Sequence, residues 1–509
     1  MFHILFHRST IIVLLLVVQA AAIVTGILEF SNYFVYLSVT LQCVSVIAVF
    51  WIINTNINPA YKLSWTIVIL SFPIFGGLLY LFFGTKRVNR RLRKKLEREY
   101  RKTRMLLLQD ENIALQLKQK DKAVYHQSNC IFRMSGYPIY QNTQTKYLSP
   151  GEEKFKQLLK ELKKAKHYIF LEYFIIQEGQ MWNPILEILK QKAAEGVDVR
   201  VMYDDCGSLV LLPHDYPRKL EKMGIKCQVF NPLRPLLLVT MNNRDHRKIL
   251  VIDGHTAFTG GINLADEYIN AIDKHGHWKD ASIMVRGEAA WSMTLMFLQM
   301  WNHNLKHPEE DYEKYRPYLH LKETIESDGY VQPYGDSPLD EEDVGETVYL
   351  NLIHKAQETV YISTPYLIAD NEMVTALCIA AQSGIDVRIV TPHHWDKWYV
   401  HMVTQSYYEQ LIQAGVKIYE YTPGFIHSKT FVVDRTVATV GSANLDYRSL
   451  YLHFECGVWM YQSSAVQEVY QDYQEILKVS RRITLEECKK VNGLVRILRA
   501  VIRAFAPLM

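Results

Sequence analysis

Two segments of the sequence repeat the same pattern of histidine, lysine, aspartate and asparagine. Each pattern reads His-x-Lys, then a four-residue apolar run, then Asp, with an Asn ten residues after the Asp. Matching residues lie 181 positions apart: His246, Lys248, Asp253 and Asn263 in the first copy, and His427, Lys429, Asp434 and Asn444 in the second. A single His-x-Lys triplet arises easily by chance, whereas two complete copies at identical offsets indicate a shared chemical task.

The spacing predicts how these side chains would meet. In an extended strand, residues i and i+2 point to the same face, so each histidine shares a side with the lysine two positions later. Two such faces would surround a phosphodiester with two imidazoles, two ammonium groups and two amide donors. The ammonium groups would neutralise charge building on the phosphate oxygens, while one imidazole attacks phosphorus and the other protonates the departing alkoxide.

The same residues argue against a metal centre. Lysine cations beside the histidines would oppose a divalent ion, and neither copy offers a carboxylate on the histidine face at ligand spacing. The seven cysteines are scattered without a C-x-x-C pair, so no structural zinc is predicted. We therefore expect neither a metal nor another cofactor.

The motifs lie within a longer internal repeat. From about residue 140 onward, short β-branched runs alternate with helical stretches, and residues 196–202 resemble residues 384–390. The predicted fold is a duplicated α/β domain, with mixed sheets flanked by helices and pseudo-twofold packing. The stretch 306–346 is rich in Pro, Gly and acids, which places the boundary near residue 320 and gives domains 136–320 and 321–485.

The amino-terminal part is apolar. Residues 11–28, 33–53 and 63–83 contain no Lys, Arg, Asp or Glu, and each approaches or reaches the ~20 residues needed to cross a bilayer. We predict a membrane segment over residues 1–85 with two or three transmembrane helices. The first run also suits a signal peptide or an uncleaved anchor.

A basic segment follows the apolar runs. Residues 86–104 hold eleven Lys or Arg against Glu97 and Glu99, whereas the whole chain has a net charge of only +4. Basic residues beside a span stay on the cytoplasmic side, so residues 86–135 are predicted to form a helical juxtamembrane linker with the catalytic part facing the cytoplasm. The remainder of the chain is net acidic, which favours anionic membrane lipid over nucleic acid as the partner.

The carboxyl end predicts a basic amphipathic helix within residues 486–509. Arg496, Arg499 and Arg503 recur at spacings of three and four, with apolar residues between them. This helix could lie on a membrane, or it could pack on the enzyme core with its arginines in solvent.

The strings at 243–254, 260–268, 277–280 and 441–449 resemble the phospholipase D superfamily, and specifically bacterial cardiolipin synthases, over nearly the whole chain. The resemblance implies a duplicated phospholipase D-like fold in which both motifs form one active site, one histidine becoming a phosphohistidine. Family precedent favours His246 as nucleophile and His427 as acid then base, although the residues themselves leave the order open. It also implies that Asp280 and Glu455 orient the catalytic imidazoles.

The implied reaction is reversible transfer of a phosphatidyl group between two phosphatidylglycerol molecules, giving cardiolipin and glycerol at the cell membrane. Alternatives are a phospholipase D that transfers to water and a phosphatidyltransferase to serine or another alcohol. A nuclease on the same site and a non-catalytic lipid-binding scaffold are weaker alternatives. The number of spans, the acyl preference and the oligomeric state stay open.

Overall fold

The computed structural model describes residues 25, 34–55, 57–72, 76–80, 84, 90–232, 243–303, 305, 308–321, 323–339 and 342–508. Its helices are α1 (Phe34–Ile53), α2 (Pro59–Ser71), α3 (Gly76–Leu79), α4 (Arg90–Arg104), α5 (Glu111–Lys120), α6 (Lys122–Ser135), α7 (Gly151–Leu162), α8 (Trp182–Ala194), α9 (Asp205–Ser208), α10 (Tyr216–Glu221), α11 (Ala290–His303), α12 (Pro317–His320), α13 (Val344–Lys355), α14 (Asn371–Gln382), α15 (Trp398–Gln413), α16 (Tyr447–Tyr451), α17 (Ser464–Lys478), α18 (Leu485–Lys489) and α19 (Gly493–Ala504).

The strands are β1 (Thr143–Leu148), β2 (Tyr168–Tyr173), β3 (Asp198–Asp204), β4 (Lys226–Phe230), β5 (Arg244–Asp245), β6 (Ile249–Ile252), β7 (Thr256–Gly260), β8 (His277–Lys279), β9 (Ser282–Gly287), β10 (Tyr330–Asp336), β11 (Thr359–Ser363), β12 (Leu367–Ile368), β13 (Asp386–Pro392), β14 (Lys417–Tyr421), β15 (Gly424–Ile426), β16 (Thr430–Val433), β17 (Val437–Gly441), β18 (Leu445–Asp446), β19 (His453–Tyr461) and β20 (Ser480–Arg482).

Two large mixed sheets have the same strand order. The first runs β1-β9-β7-β6-β2-β3-β4, and the second runs β10-β19-β17-β16-β11-β13-β14 with β20 added at the edge. In each sheet the three strands joined through helices are parallel, and the hairpin strands that follow pair antiparallel. The predicted duplicated α/β fold is therefore confirmed. The strands of the first large sheet all precede residue 320, and those on the path of the second all follow it, while the precise boundary stays a prediction.

The two halves share one core. All fourteen residues of α11 are buried, and this helix contributes to a cluster with Phe170 and Val251 of the first sheet and Val432 and Val458 of the second. Strands β6 and β16 are buried along their whole length, as expected for strands covered on both faces. The apolar runs inside the motifs thus anchor both active-site segments in a common interior.

Two short strand pairs cross between the halves. β8 of the first half pairs in parallel with β15 of the second, and β5 of the first half pairs in parallel with the start of β19. In each pair one strand directly precedes a motif histidine, β5 before His246 and β15 before His427, so these pairs fix the two motifs relative to each other.

The amino-terminal helices attach to both halves. The Asn58 amide, at the start of α2, donates to the carboxylate of Asp370 and to the Tyr451 hydroxyl, both at 2.9 Å. α4 begins within the predicted basic linker and packs on α11, with Glu99 accepting a 2.7 Å hydrogen bond from Tyr312. Among the described residues, none of the helices combines the length and the apolarity that crossing a membrane requires. The apolar run 11–28 lies outside them apart from residue 25.

The orientation of the carboxyl-terminal helix differs from one of the two expectations, while contact with a membrane stays a prediction. It is divided into α18 and α19, and α19 packs on α15 through its arginines: Arg503 donates to the Ser406 carbonyl at 3.2 Å and lies 3.9 Å from the Tyr407 ring centre. Its apolar face is outward, with Leu494 77% and Ile497 63% exposed. The expectation of solvated arginines above a packed apolar face is therefore wrong, because guanidinium groups of α19 donate hydrogen bonds to acceptors on α15.

Candidate active site

The two motif histidines begin the buried strands of their sheets. His246 and Lys248 occupy the extended link before β6, and His427 and Lys429 occupy the equivalent link before β16. The His246 backbone N–H donates to the Phe454 carbonyl at 3.0 Å, and the His427 backbone N–H donates to the Lys279 carbonyl at 2.7 Å. Each histidine is therefore held by the backbone of the opposite half, immediately before that half's candidate orienting acid.

The candidate orienting acids, Glu455 and Asp280, also contact the histidine of the opposite half. His246 Nδ1 lies 2.8 Å from Glu455 Oε1, and His427 Nδ1 lies 2.6 Å from Asp280 Oδ2. An imidazole whose Nδ1–H is held by a carboxylate presents Nε2 as a free lone pair. Both imidazoles line the same cavity. The sequence had named all four residues but not their pairing across the halves.

The residue two positions before each motif asparagine lies against the orienting acid. Gly261 must lack a side chain, because a Cβ there would lie 2.2 Å from Asp280 Oδ1. Ser442 occupies the matching place in the second half, and its hydroxyl donates to Glu455 Oε2 at 2.5 Å. The two copies thus hold their acids by different means.

The motif lysines lie behind the imidazoles. Both are buried, and each ammonium donates to the carbonyl of the histidine two residues earlier. The Lys429 ammonium also lies 2.8 and 3.0 Å from the ring nitrogens of His427. Burial lowers the pKa of Lys248 to about 8 and that of Lys429 to about 7, so a bound phosphate anion would favour their charged forms.

Burial favours the neutral form of both imidazoles. Burial lowers the pKa of His246 to about 3 and that of His427 to about 4, and this exceeds the opposing effect of the facing acids. Burial disfavours ionisation of Glu455 as well, but the contacts with His246 and Lys248 hold its pKa well below the usual value. A neutral imidazole is the form that can attack phosphorus.

These shifts predict an acid-sensitive fold. Between pH 6.5 and pH 5 the unfolded imidazoles bind protons and the native ones do not, so the free energy of unfolding should fall by about 2 kcal/mol per imidazole at pH 5. Denaturant titrations in detergent at the two pH values measure this loss. The doubly substituted variant His246→Gln/His427→Gln should lose about 4 kcal/mol less than the wild type over the same interval. An equal loss in both proteins would contradict neutral native imidazoles.

The motif aspartates lie away from the imidazoles. The Asp253 carboxylate accepts the backbone N–H groups of Lys166, His167 and Tyr168 at 2.8 to 2.9 Å, and Asp434 accepts those of residues 357–359 at 2.8 Å. Each sits at the far end of a four-residue strand, about 17 Å of extended chain from the lysine. These bonds tie β6 to β2 and β16 to β11, and the prediction that both aspartates belong to the catalytic group stays a prediction.

The motif asparagines line the cavity but are already bonded. Asn263 donates to the Tyr268 hydroxyl at 2.7 Å and accepts from the Ile175 backbone at 3.1 Å. Asn444 donates to Asp446 at 2.9 Å, while its Oδ1 is buried without a hydrogen-bond partner. Their predicted contact with a substrate phosphate stays a prediction, and it would require these amides to exchange partners.

The cavity has a volume of about 620 Å³ and a mixed lining. Its walls combine aromatic and aliphatic side chains with a few cations. The apolar part includes Phe174, Tyr268, Trp278, Tyr366, Ile368, Tyr399 and Val400, and the cations are Arg244, Lys274, Lys397 and Arg448. Such a lining suits a molecule with an anionic group and apolar chains.

A third histidine was missed in the sequence. His453 lines the cavity, its ring centre lies 5.5 Å from that of His246, and its Nδ1 lies 3.8 Å from Glu455 Oε1. The available signal was the His-x-Glu spacing, which puts residues 453 and 455 on one strand face. His246, His453 and Glu455 are close enough together to hold a metal ion, but Lys248 and Arg448 would oppose one, and the expectation of no metal stays a prediction.

Comparison with known proteins places this geometry in a family. Residues 158–290 and 349–477 match the family described as "Cardiolipin synthase, PLD-like domain", and residues 43–84 match "Phospholipase D-nuclease N-terminal". A cardiolipin synthase of Alkalihalophilus pseudofirmus is 36% identical, covering 89% of this chain and 90% of the relative. A cardiolipin synthase of Geobacillus kaustophilus is 34% identical, covering 99% of this chain and all of the relative.

A solved structure supports the same fold at greater distance. The crystal structure of a phosphatidylserine synthase from Haemophilus influenzae superposes with a TM-score of 0.57 at 14% identity, covering 75% of this chain and 97% of that one. At that identity the likeness concerns the fold alone. The family match over both halves and the similarity over nearly the full length lead to one conclusion: the chain belongs to the cardiolipin synthase family of the phospholipase D superfamily.

Proposed function

We propose that the protein is a cardiolipin synthase, which moves a phosphatidyl group from one phosphatidylglycerol to a hydroxyl of a second and releases glycerol. The observation that carries the proposal is the pair of imidazoles, each in contact with an acid of the opposite half, at one cavity with apolar and cationic walls. The choice of phosphatidylglycerol as the substrate rests on the family relationship. One diester is exchanged for another, so the reaction is reversible and uses no nucleotide.

In the first step, Nε2 of His246 attacks phosphorus and the P–O bond to the glycerol headgroup breaks. The leaving oxygen takes a proton from Nε2 of His427, whose protonated form is favoured by the bound phosphate anion and by Asp280 at 2.6 Å. Lys248 and Lys429 neutralise the growing charge on the phosphate oxygens. The order of the two histidines follows family precedent.

In the second step, the hydroxyl of a second phosphatidylglycerol attacks the phosphohistidine. The P–N bond breaks, the new P–O bond forms, and neutral His427 takes the hydroxyl proton, which restores both imidazoles. Tyr268, Trp278 and Phe425 pack around the His427 ring, with centres 5.3 to 5.9 Å away. These aromatic walls reduce the water available to intercept the intermediate, which favours transfer over hydrolysis.

The proposal includes a membrane location, with the amino-terminal segment as a multi-pass anchor and the catalytic halves on the cytoplasmic side. Exposed apolar side chains on α1 and α2 support it: Val46, Ile47 and Phe50 are 53 to 66% exposed, and Leu63 and Leu70 are 60 and 65% exposed. Large apolar surface left uncovered by the protein marks contact with lipid or another protein. The basic residues of α4 would then face anionic headgroups.

Product analysis tests the acceptor. Purified protein in detergent micelles with phosphatidylglycerol as the sole lipid should produce cardiolipin and free glycerol in equal amounts, because each transfer releases one headgroup. Thin-layer chromatography separates the lipids and an enzymatic assay counts the glycerol. Phosphatidic acid without cardiolipin would identify a hydrolase instead, and a product formed only with added serine or another alcohol would identify a different transferase.

A further inference from the structure

Among the described residues, one cation of the cavity lining is not paired with an acid. Arg244 lies 3.6 Å from Asp204, Lys274 lies 3.1 Å from Glu267, and Lys397 lies 3.7 Å from Asp396. In the part of the chain that the structure describes, Arg448 has no carboxylate at ion-pair distance. Its charge is therefore available to a ligand.

The nearest acid on the same segment is occupied elsewhere. Asp446 accepts the amide of Asn444 at 2.9 Å and the backbone N–H of Ser449 at 2.8 Å. These two bonds hold the carboxylate at the start of α16. They leave Arg448 half-buried at the cavity wall without a counter-charge.

His453 fixes the direction of the guanidinium. Arg448 Nε lies 3.3 Å from His453 Nε2, and because arginine can only donate, that ring nitrogen is the acceptor. The hydrogen of the neutral ring then resides on Nδ1, which faces Glu455. Arg448 and Glu455 thus contact His453 from different edges, and a chain of groups leads from His246 through Glu455 and His453 to Arg448.

We propose that Arg448 forms a second anion subsite, which binds the phosphodiester of the acceptor lipid while the donor phosphate is held between the two imidazoles. The inference rests on the proposed function and names what selects the acceptor. With Nε engaged by His453, the two terminal amino groups are left for the phosphate oxygens, and guanidinium groups bind phosphate through paired hydrogen bonds. Water and glycerol carry no charge and gain nothing from this subsite, whereas phosphatidylglycerol does.

The test compares two acceptors that share the same first step. Wild type, Arg448→Gln and Arg448→Lys are each supplied with phosphatidylglycerol and radiolabelled glycerol. Transfer to a second lipid gives cardiolipin, and transfer to labelled glycerol gives labelled phosphatidylglycerol. Arg482→Gln, which removes an exposed arginine on edge strand β20, is the control for loss of one positive charge.

Arg448→Gln should lower cardiolipin formation by about 10- to 100-fold, the effect of losing charge-assisted hydrogen bonds. Glycerol exchange should stay within about twofold of wild type, which also reports that the variant is folded. Arg448→Lys should recover part of the cardiolipin synthesis, because it retains the charge but not the paired geometry. Arg482→Gln should resemble wild type in both reactions.

Equal loss of both reactions in Arg448→Gln would overturn the subsite, since it would mean that Arg448 serves the donor or the fold. Unchanged cardiolipin formation would overturn it as well. A wild-type protein that exchanges glycerol but makes no cardiolipin would instead overturn the proposed function, and that result appears before any variant is compared.

Discussion

Replacing either His246 or His427 with alanine is expected to lower cardiolipin formation by about 10⁴-fold or more. Each imidazole provides a group that the other cannot replace: one forms the bond to phosphorus and the other carries the proton. Both imidazoles line one cavity, and each Nδ1 lies 2.6 or 2.8 Å from an acid, which leaves one nitrogen of each ring for the reaction. Turnover of labelled phosphatidylglycerol measures the loss.

His354→Ala is the matched control, because this histidine is exposed on α13 away from the cavity, and it should retain full turnover. Acid-stable and acid-labile phosphate can be distinguished after rapid quenching, and mass spectrometry identifies the modified residue. We expect label on His246 in the wild type and none in His246→Ala. Turnover retained by both alanine variants would refute imidazole catalysis, and label on His427 would reverse the assigned order.

Replacing Asp253 with alanine should act on stability and not on chemistry. Its carboxylate accepts three backbone N–H groups at 2.8 to 2.9 Å, and all three would lose their partner. We expect the free energy of unfolding to fall by about 3 kcal/mol, in the range for charged hydrogen bonds whose removal leaves donors unmatched. Thermal unfolding in detergent measures the change, and activity well below the melting temperature should remain within about tenfold of wild type.

Asp215→Ala provides the comparison, because Asp215 is exposed and makes no side-chain cap bond, and its effect should stay below about 0.5 kcal/mol. Asp434→Ala should reproduce the Asp253 result in the second half, where the carboxylate accepts three equivalent N–H groups. A variant with unchanged melting temperature and no activity would restore the aspartate to the catalytic centre.

Much of the fold and the centre of the site could be predicted from sequence because both depend on local spacing. The repeat revealed the duplicated sheets, and the His-x-Lys pairs revealed the reacting groups, since alternation along an extended chain depends only on position. Asp253 belongs to the same sequence pattern but does not lie beside the imidazoles. The apolar run before it forms buried strand β6, and Asp253 follows the end of that strand opposite to Lys248. Counting residues does not show where a strand ends relative to a pocket.

Other features depended on contacts between distant segments. The contact of His246 with Glu455 spans 209 residues and arises from the crossing strand pair β5–β19. Strand β5 has only two residues, so it has no sequence pattern from which this pairing could be predicted. The direction of α19 also depended on its neighbours, because an amphipathic sequence can bury either face, and here the acceptors on α15 captured Arg503. The availability of Arg448 for a ligand depends on the pairing of the other cavity cations with acids, which sequence spacing does not reveal.

Because each catalytic histidine is held by an acid of the opposite half, activity depends on the order in which the chain is synthesised. As the polypeptide emerges from the ribosome, His246 is made long before the strand that bears Glu455, and the first half alone can neither orient that imidazole nor close the cavity around it. We therefore expect activity to appear only after β19 of the second half has paired with β5 of the first.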